Sequence, residues 1–254
     1  MIIILSPAKT MNFEAPESKI PVSIPEFGLE ASALAAILRN FSASELGKLM
    51  NISVNLAMLN HERYQYWHKP GHNQEEKQAL LAYRGDVYNG LQAESMENDD
   101  LLWAQDHLRI LSGLYGVLRP LDMIMPYRLE MGTPLSGKGF RDLYDYWGQK
   151  IRQYFSALAA EEGSGILMNL ASAEYSRVVD WKSLGIRVIT PVFKEYRNGE
   201  YRFLSMFGKK ARGMMARYII ERRIKDPEEV KLFSEDSYTY HDPLSADDEW
   251  VFTR

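Results

Sequence analysis

Met1-Ile2-Ile3-Ile4-Leu5-Ser6-Pro7-Ala8-Lys9-Thr10 opens the chain. Residues 2–5 form an unbroken apolar run without the polar alternation of a half-exposed strand. Such a run reads as a strand buried on both faces, as in a layered α/β sheet. Ser6-Pro7 ends it and starts a loop. Open α/β sheets place ligands at loops that leave the carboxyl ends of buried strands. That makes Lys9 a candidate, either for holding phosphate or, with a lowered pKa, as an amine nucleophile. The plainer reading is a surface lysine after a strand. Residues 6–10 lack the glycines of a P-loop.

Further strands are predicted downstream. Ile166-Leu167-Met168-Asn169-Leu170 is a second short apolar run. Residues 186–193 and 201–207 alternate partly around Asn198-Gly199, the pair that a two-residue hairpin turn prefers because both positions need positive φ. Trp250-Val251-Phe252 reads as a last, edge strand. Between the first two strands the pattern is helical: residues 29–40, a helix running to Leu59 with Ser42 or Ser44 as N-cap, a helix led by Asp99 and Asp100, and residues 143–158. The predicted fold is α/β (α+β). A mixed sheet formed by the N- and C-terminal segments carries a largely helical insertion at about residues 26–162, in one compact domain over residues 1–254.

The bulk numbers agree. Of 254 residues, 46% are hydrophobic, 25% charged and 12% aromatic, enough to build a core. There is no cysteine, which removes thiol chemistry and Cys-based metal sites and fits a reducing compartment. The apolar start is too short for a signal peptide or membrane span, so the expectation is a cytoplasmic protein without membrane contact. His68 and His72 are four apart, but Pro70-Gly71 breaks any helix that would align them. The sequence therefore predicts no metal and no cofactor.

Charge is unevenly distributed. Net charge is −4, yet residues 209–225 hold seven basic residues and only Glu221 as an acid, and residues 226–249 hold nine acids against Lys231. On a helical projection Lys209, Lys210, Arg212, Arg217 and Arg223 share one face, opposite Ala211, Met214, Met215 and Tyr218. This is either a solvated amphipathic helix or a phosphate-binding face. Gly213 lets a second backbone or a phosphate approach.

Residues 111–120, Leu-Ser-Gly-Leu-Tyr-Gly-Val-Leu-Arg-Pro, lie between apolar stretches. Two helices joined through Gly113, Leu114, Tyr115 and Gly116 would offer backbone N–H groups to phosphate, with Arg109 and Arg119 alongside. This resembles a helix-hairpin-helix; the alternative is a tight core turn. Finally, Asp86, Glu130 and Glu174 stand near tyrosines and near Arg128, itself a candidate DNA contact. They read as acid/base groups or as buried ion-pair partners. Whether Lys9, Asp86, Glu130 and Glu174 share one pocket discriminates between those readings.

Together the blocks SPAKT (6–10), GDVYNGL (85–91), LSGLYGVLRPLD (111–122), PYRLEMG (126–132), DLYDYWG (142–148), NLAS-EY (169–175) and KKARG (209–213) resemble the YaaA family, linked to peroxide-stress resistance. Thr190 stands where the family pattern often has lysine. The resemblance implies a DNA-binding protein with a basic cleft and a helix-hairpin-helix, lowered free iron under peroxide stress, and no assured enzymatic activity. Gly113 to Gly116 would then meet backbone phosphates, and Lys209, Lys210 and Arg212 would line the cleft. Nothing in the histidine spacing supports direct iron binding. The alternative function is hydrolysis of an N-glycosidic bond in a nucleotide or DNA base, using Lys9 and the nearby carboxylates.

Overall fold

The computed structural model describes residues 1–14, 21–68 and 75–254. Its main sheet contains β1 (Ile2–Leu5), β2 (Leu108–Ser112), β3 (Gly116–Leu118), β4 (Ile166–Asn169), β5 (Arg187–Arg197), β6 (Glu200–Arg202), β7 (Thr239–Tyr240) and β8 (Glu249–Thr253). The order is β7-β8-β5-β4-β1-β2-β3, with β6 paired to β5. β1 lies parallel between β2 and β4, with Ile3 opposite both Leu108 and Met168. β4–β5 and β5–β8 are also parallel, while β2–β3, β5–β6 and β7–β8 are antiparallel. All four β1 residues are buried, as an apolar run with neighbours on both edges and faces requires.

The helices are α1 (Gly28–Leu38), α2 (Ala43–Met50), α3 (Val54–Gln65), α4 (Ala79–Ala82), α5 (Asp86–Leu91), α6 (Asn98–His107), α7 (Leu143–Glu162), α8 (Ala173–Ser176) and α9 (Ser205–Arg222). Ser42, not Ser44, caps α2, through a reciprocal capping box with Glu45. The stretch read as one helix to Leu59 is two, because Asn51 turns left-handed and Ser53 caps α3 anew. Asp142 caps α7, and Gly163, at φ 75°, closes it. Asn198 (φ 52°) and Gly199 (φ 87°) make the expected hairpin turn.

Three expectations need correction. Trp250-Val251-Phe252 is not at an edge: β8 lies between β5 and β7. The return strand after Asn198-Gly199 stops at Arg202, and Phe203 folds its ring onto Gly208 in the first turns of α9. The insertion is largely helical, as expected, but it also supplies β2 and β3. Consequently residues 111–118 form no helix-hairpin-helix. They form a β-hairpin buried from Leu108 to Leu118. Its glycines make room for protein. A Cβ on Gly113 would collide with the Leu129–Glu130 backbone, and one on Gly116 would sit 2.6 Å from the Trp147 ring. Trp147 Nε1 also donates to the Gly113 carbonyl (2.9 Å). The turn amides are used internally, since Leu114 N and Tyr115 N both donate to Ser112 Oγ (3.3 and 3.0 Å).

Candidate functional site

The loops after β1 and β4 leave adjacent strands at their carboxyl ends. From β1 the next strand of the main sheet, β2, lies to one side, and the chain later returns as β4 on the other. That reversal leaves a crevice of the kind in which open α/β sheets bind ligands. Ser6 ties its walls together. Its Oγ accepts from Ser172 N (2.8 Å) and lies 3.2 Å from Ser172 Oγ, and its carbonyl accepts from the Tyr88 hydroxyl (3.0 Å). Thr10–Met11 then pairs antiparallel with Tyr83–Arg84. Gly85 follows at φ 134°, ψ −178°, a conformation open essentially to glycine alone, and so turns the chain into α5 with Asp86 as its first residue.

α9 forms another wall. It crosses α5 at backbone contact: a Cβ on Gly213 would run into the Val87 carbonyl, and one on Gly90 into the Lys210 carbonyl. Gly213 therefore admits a second backbone, one of the two readings open to it. The crossing carries Lys209 and Arg212 to the crevice. The resulting cavity of about 640 Å³ is lined by residues 6–11, 84–88, 127–130, Leu170, residues 172–175, Lys209 and Arg212.

All four candidates Lys9, Asp86, Glu130 and Glu174 line this one cavity. Glu130 bridges two cations, Lys9 Nζ at 2.7 Å and Arg128 Nη2 at 3.0 Å. Glu174 Oε1 accepts from Gly132 N (2.9 Å), and Oε2 has no partner among the described residues. Among the described residues Asp86, Lys209 and Arg212 have no hydrogen-bond or ion-pair partner. Arg128 Nε is buried and also lacks one. Burial lowers the Arg212 guanidinium pKa, the direction for a charge drawn from water without a counter-charge. The cavity's tyrosines are neutral: burial pushes Tyr127 up to about 12, against hydrogen bonds from Ser112 and Tyr83, and raises Tyr88 and Tyr175 well above the usual value.

Of the residues predicted to meet DNA, Arg128, Lys209 and Arg212 face the cavity. The others do not. Arg109 is buried, donating to Tyr154 Oη (2.6 Å) and to the Gln105 and Leu108 carbonyls. Gly113, Leu114, Tyr115 and Gly116 are buried in the hairpin. Arg119 pairs with Asp122, Lys210 with Asp236 (3.6 Å) and Arg217 with Glu221 (2.7 Å). Arg217 also clamps α9 to the carbonyls of Leu91 and Gln92. Sequence reasoning missed Arg84 as a lining cation, although it pairs with Glu94, and missed the Ser6–Ser172 tie. The end-of-strand position of Ser6 was the available signal. Among the described residues no three His, Asp or Glu side chains gather as a metal-ligand set; His72, Pro70 and Gly71 lie outside the described residues. Among the described residues no helix is long and apolar enough to cross a membrane.

A family model described as "Peroxide stress protein YaaA" matches residues 1–244. A UPF0246 protein of Ralstonia pickettii is 47% identical over 254 residues, covering 100% of this chain and 99% of its own. A UPF0246 protein of Burkholderia thailandensis is 47% identical over 256 residues (100% and 98%), and one of Hahella chejuensis is 46% identical over 254 (100% and 99%).

Proposed function

This chain belongs to the peroxide stress protein YaaA family, and from that premise we propose that it binds DNA by its backbone, without strong sequence preference, taking phosphate into the cavity between β1, β4, α5 and α9. One observation carries this reading: among the described residues Arg212 lines the cavity without a carboxylate partner, and Arg128, with an unpartnered buried Nε, lines the same cavity. A buried cation or N–H without a partner is costly, and an anionic oxygen at that place offsets the cost. Lys209 adds a third positive group at the same wall. Because no phosphate meets the hairpin amides, side-chain charge alone supplies the contacts.

The test is a salt-titrated mobility shift on duplex, bubble and single-stranded DNA. Lys209→Glu with Arg212→Glu is expected to abolish binding while circular dichroism stays native. Lys210→Gln, which removes a charge already paired with Asp236 outside the cavity lining, is expected to leave affinity nearly unchanged. Wild-type affinity in the double variant would refute the proposal.

A second reading has its own support, because Lys9, Asp86, Glu130 and Glu174 share the cavity. A hydrolase for an N-glycosidic bond needs acid/base groups of this kind beside a phosphate site. It predicts free base released from nucleosides, nucleotides or damaged DNA, lost in Glu174→Gln. No release from any of these substrates would retire it.

A further inference from the structure

We infer that the cavity holds one nucleoside monophosphate unit, either free or as an unpaired nucleotide of a nucleic-acid strand. The inference rests on the reading above that this cavity takes phosphate, and it names what else must enter with it.

Among the described residues Lys209 and Arg212 have no ion-pair partner, so the ligand must bring anionic oxygens. Inorganic phosphate alone does not suit the site, because Asp86 and Glu174, whose Oε2 has no partner among the described residues, line the same walls. Carboxylates accept and do not donate, so they require N–H or O–H groups from the ligand. The occupant therefore has an anionic part and a part rich in donors.

The aromatic lining adds a third requirement. The Tyr88 hydroxyl is spent on the Ser6 carbonyl, and the Tyr127 hydroxyl on Ser112 and Tyr83 (2.6 Å each). With their polar ends engaged, these side chains offer the cavity ring carbon, a surface that favours a flat apolar or heteroaromatic group. About 640 Å³ is several times what a phosphate fills and lies inside the roughly 300–1,000 Å³ range of small-ligand pockets. A nucleotide combines phosphate, sugar hydroxyls, amino-bearing edges and a flat ring in one molecule of that size. The position at the strand-order reversal of a parallel sheet suits such a ligand.

The experiment is calorimetric titration of the full chain with adenosine, guanosine, cytidine and uridine 5′-monophosphates, with the four nucleosides, and with inorganic phosphate. At least one monophosphate is expected to bind one per chain, about tenfold or more tighter than its nucleoside and than phosphate, as a charge-assisted contact supplies. Arg212→Met is expected to bring the monophosphate down to the affinity of its nucleoside. Glu174→Gln is expected to weaken nucleoside and nucleotide alike. Phosphate binding as tightly as every monophosphate would overturn the inference. So would the absence of any monophosphate binding together with no competition by an oligonucleotide carrying one unpaired nucleotide. A duplex mobility shift on the same protein separates the two claims. Duplex binding without nucleotide binding or competition removes the inference and leaves the DNA reading. Nucleotide binding without binding to duplex, bubble or single-stranded DNA keeps the inference and removes DNA as the target.

Discussion

Arg212 is where stability and function pull apart. Its guanidinium is partly buried, which lowers its pKa, and nothing within the described residues neutralises it. Replacing a buried ionic group by an apolar one of similar volume is often neutral or stabilising. Arg212→Met is therefore expected to leave the thermal midpoint unchanged or raise unfolding free energy by up to about 1 kcal/mol. Calorimetric unfolding checks this; a midpoint several degrees lower would mean that the guanidinium has a structural partner. Tyr127 gives a pH prediction. Burial raises its folded pKa to about 12, above the ordinary value of 10. The sign follows: its contribution to stability is fully present below pH 10 and is lost as pH rises toward 12. Tyrosine absorbance should thus show exposed groups ionising near pH 10 and Tyr127 ionising later, with alkaline unfolding. Early ionisation of every tyrosine would contradict the buried network around Tyr83, Tyr127 and Ser112.

Among the elements, α5 and α9 decide whether the cavity exists. Gly213 and Gly90 let the two helices touch backbone to backbone, which sets Lys209 and Arg212 against the loops after β1 and β4. Gly213→Ala inserts a Cβ against the Val87 carbonyl, and overpacking of this sort costs about 1–3 kcal/mol or more. An unfolding free energy from urea titration lowered by that amount, with nucleic-acid affinity lost in the remaining folded protein, is the expected result; unchanged stability would contradict the crossing. Much at this scale was legible in the sequence. The apolar runs at residues 2–5 and 166–169, the Asn198-Gly199 turn and the acids leading α6 all report local rules. The β2–β3 hairpin was not legible. A leucine-rich run punctuated by glycine suits either helix or strand. What decides for strand lies far along the chain, in Trp147 over Gly116 and the Leu129 backbone over Gly113. The same distance hid Arg109, whose partner Tyr154 is on α7. The candidate groups were legible as residues, and their meeting in one cavity was not, because it depends on four segments far apart in the chain.

For the whole molecule, ion pairs take up part of the charge asymmetry seen along the sequence. Asp236, from the acidic stretch, sits beside both Lys210 and Arg254, while Arg223 pairs with Asp100. The broad basic face expected from residues 209–225 shrinks to Lys209 and Arg212, joined from another segment by Arg128. Few cations remain to displace counterions, so salt dependence should be modest. With about two to three phosphates neutralised, log K should fall against log salt with a slope of about −2 to −3 on duplex. The most direct measurement is that slope for the wild type and for Arg212→Met, by fluorescence anisotropy on one labelled duplex. The account predicts weaker binding and a slope shallower by about 1 in the variant. Equal affinity and equal slope would show that phosphate does not reach Arg212 and would contradict it.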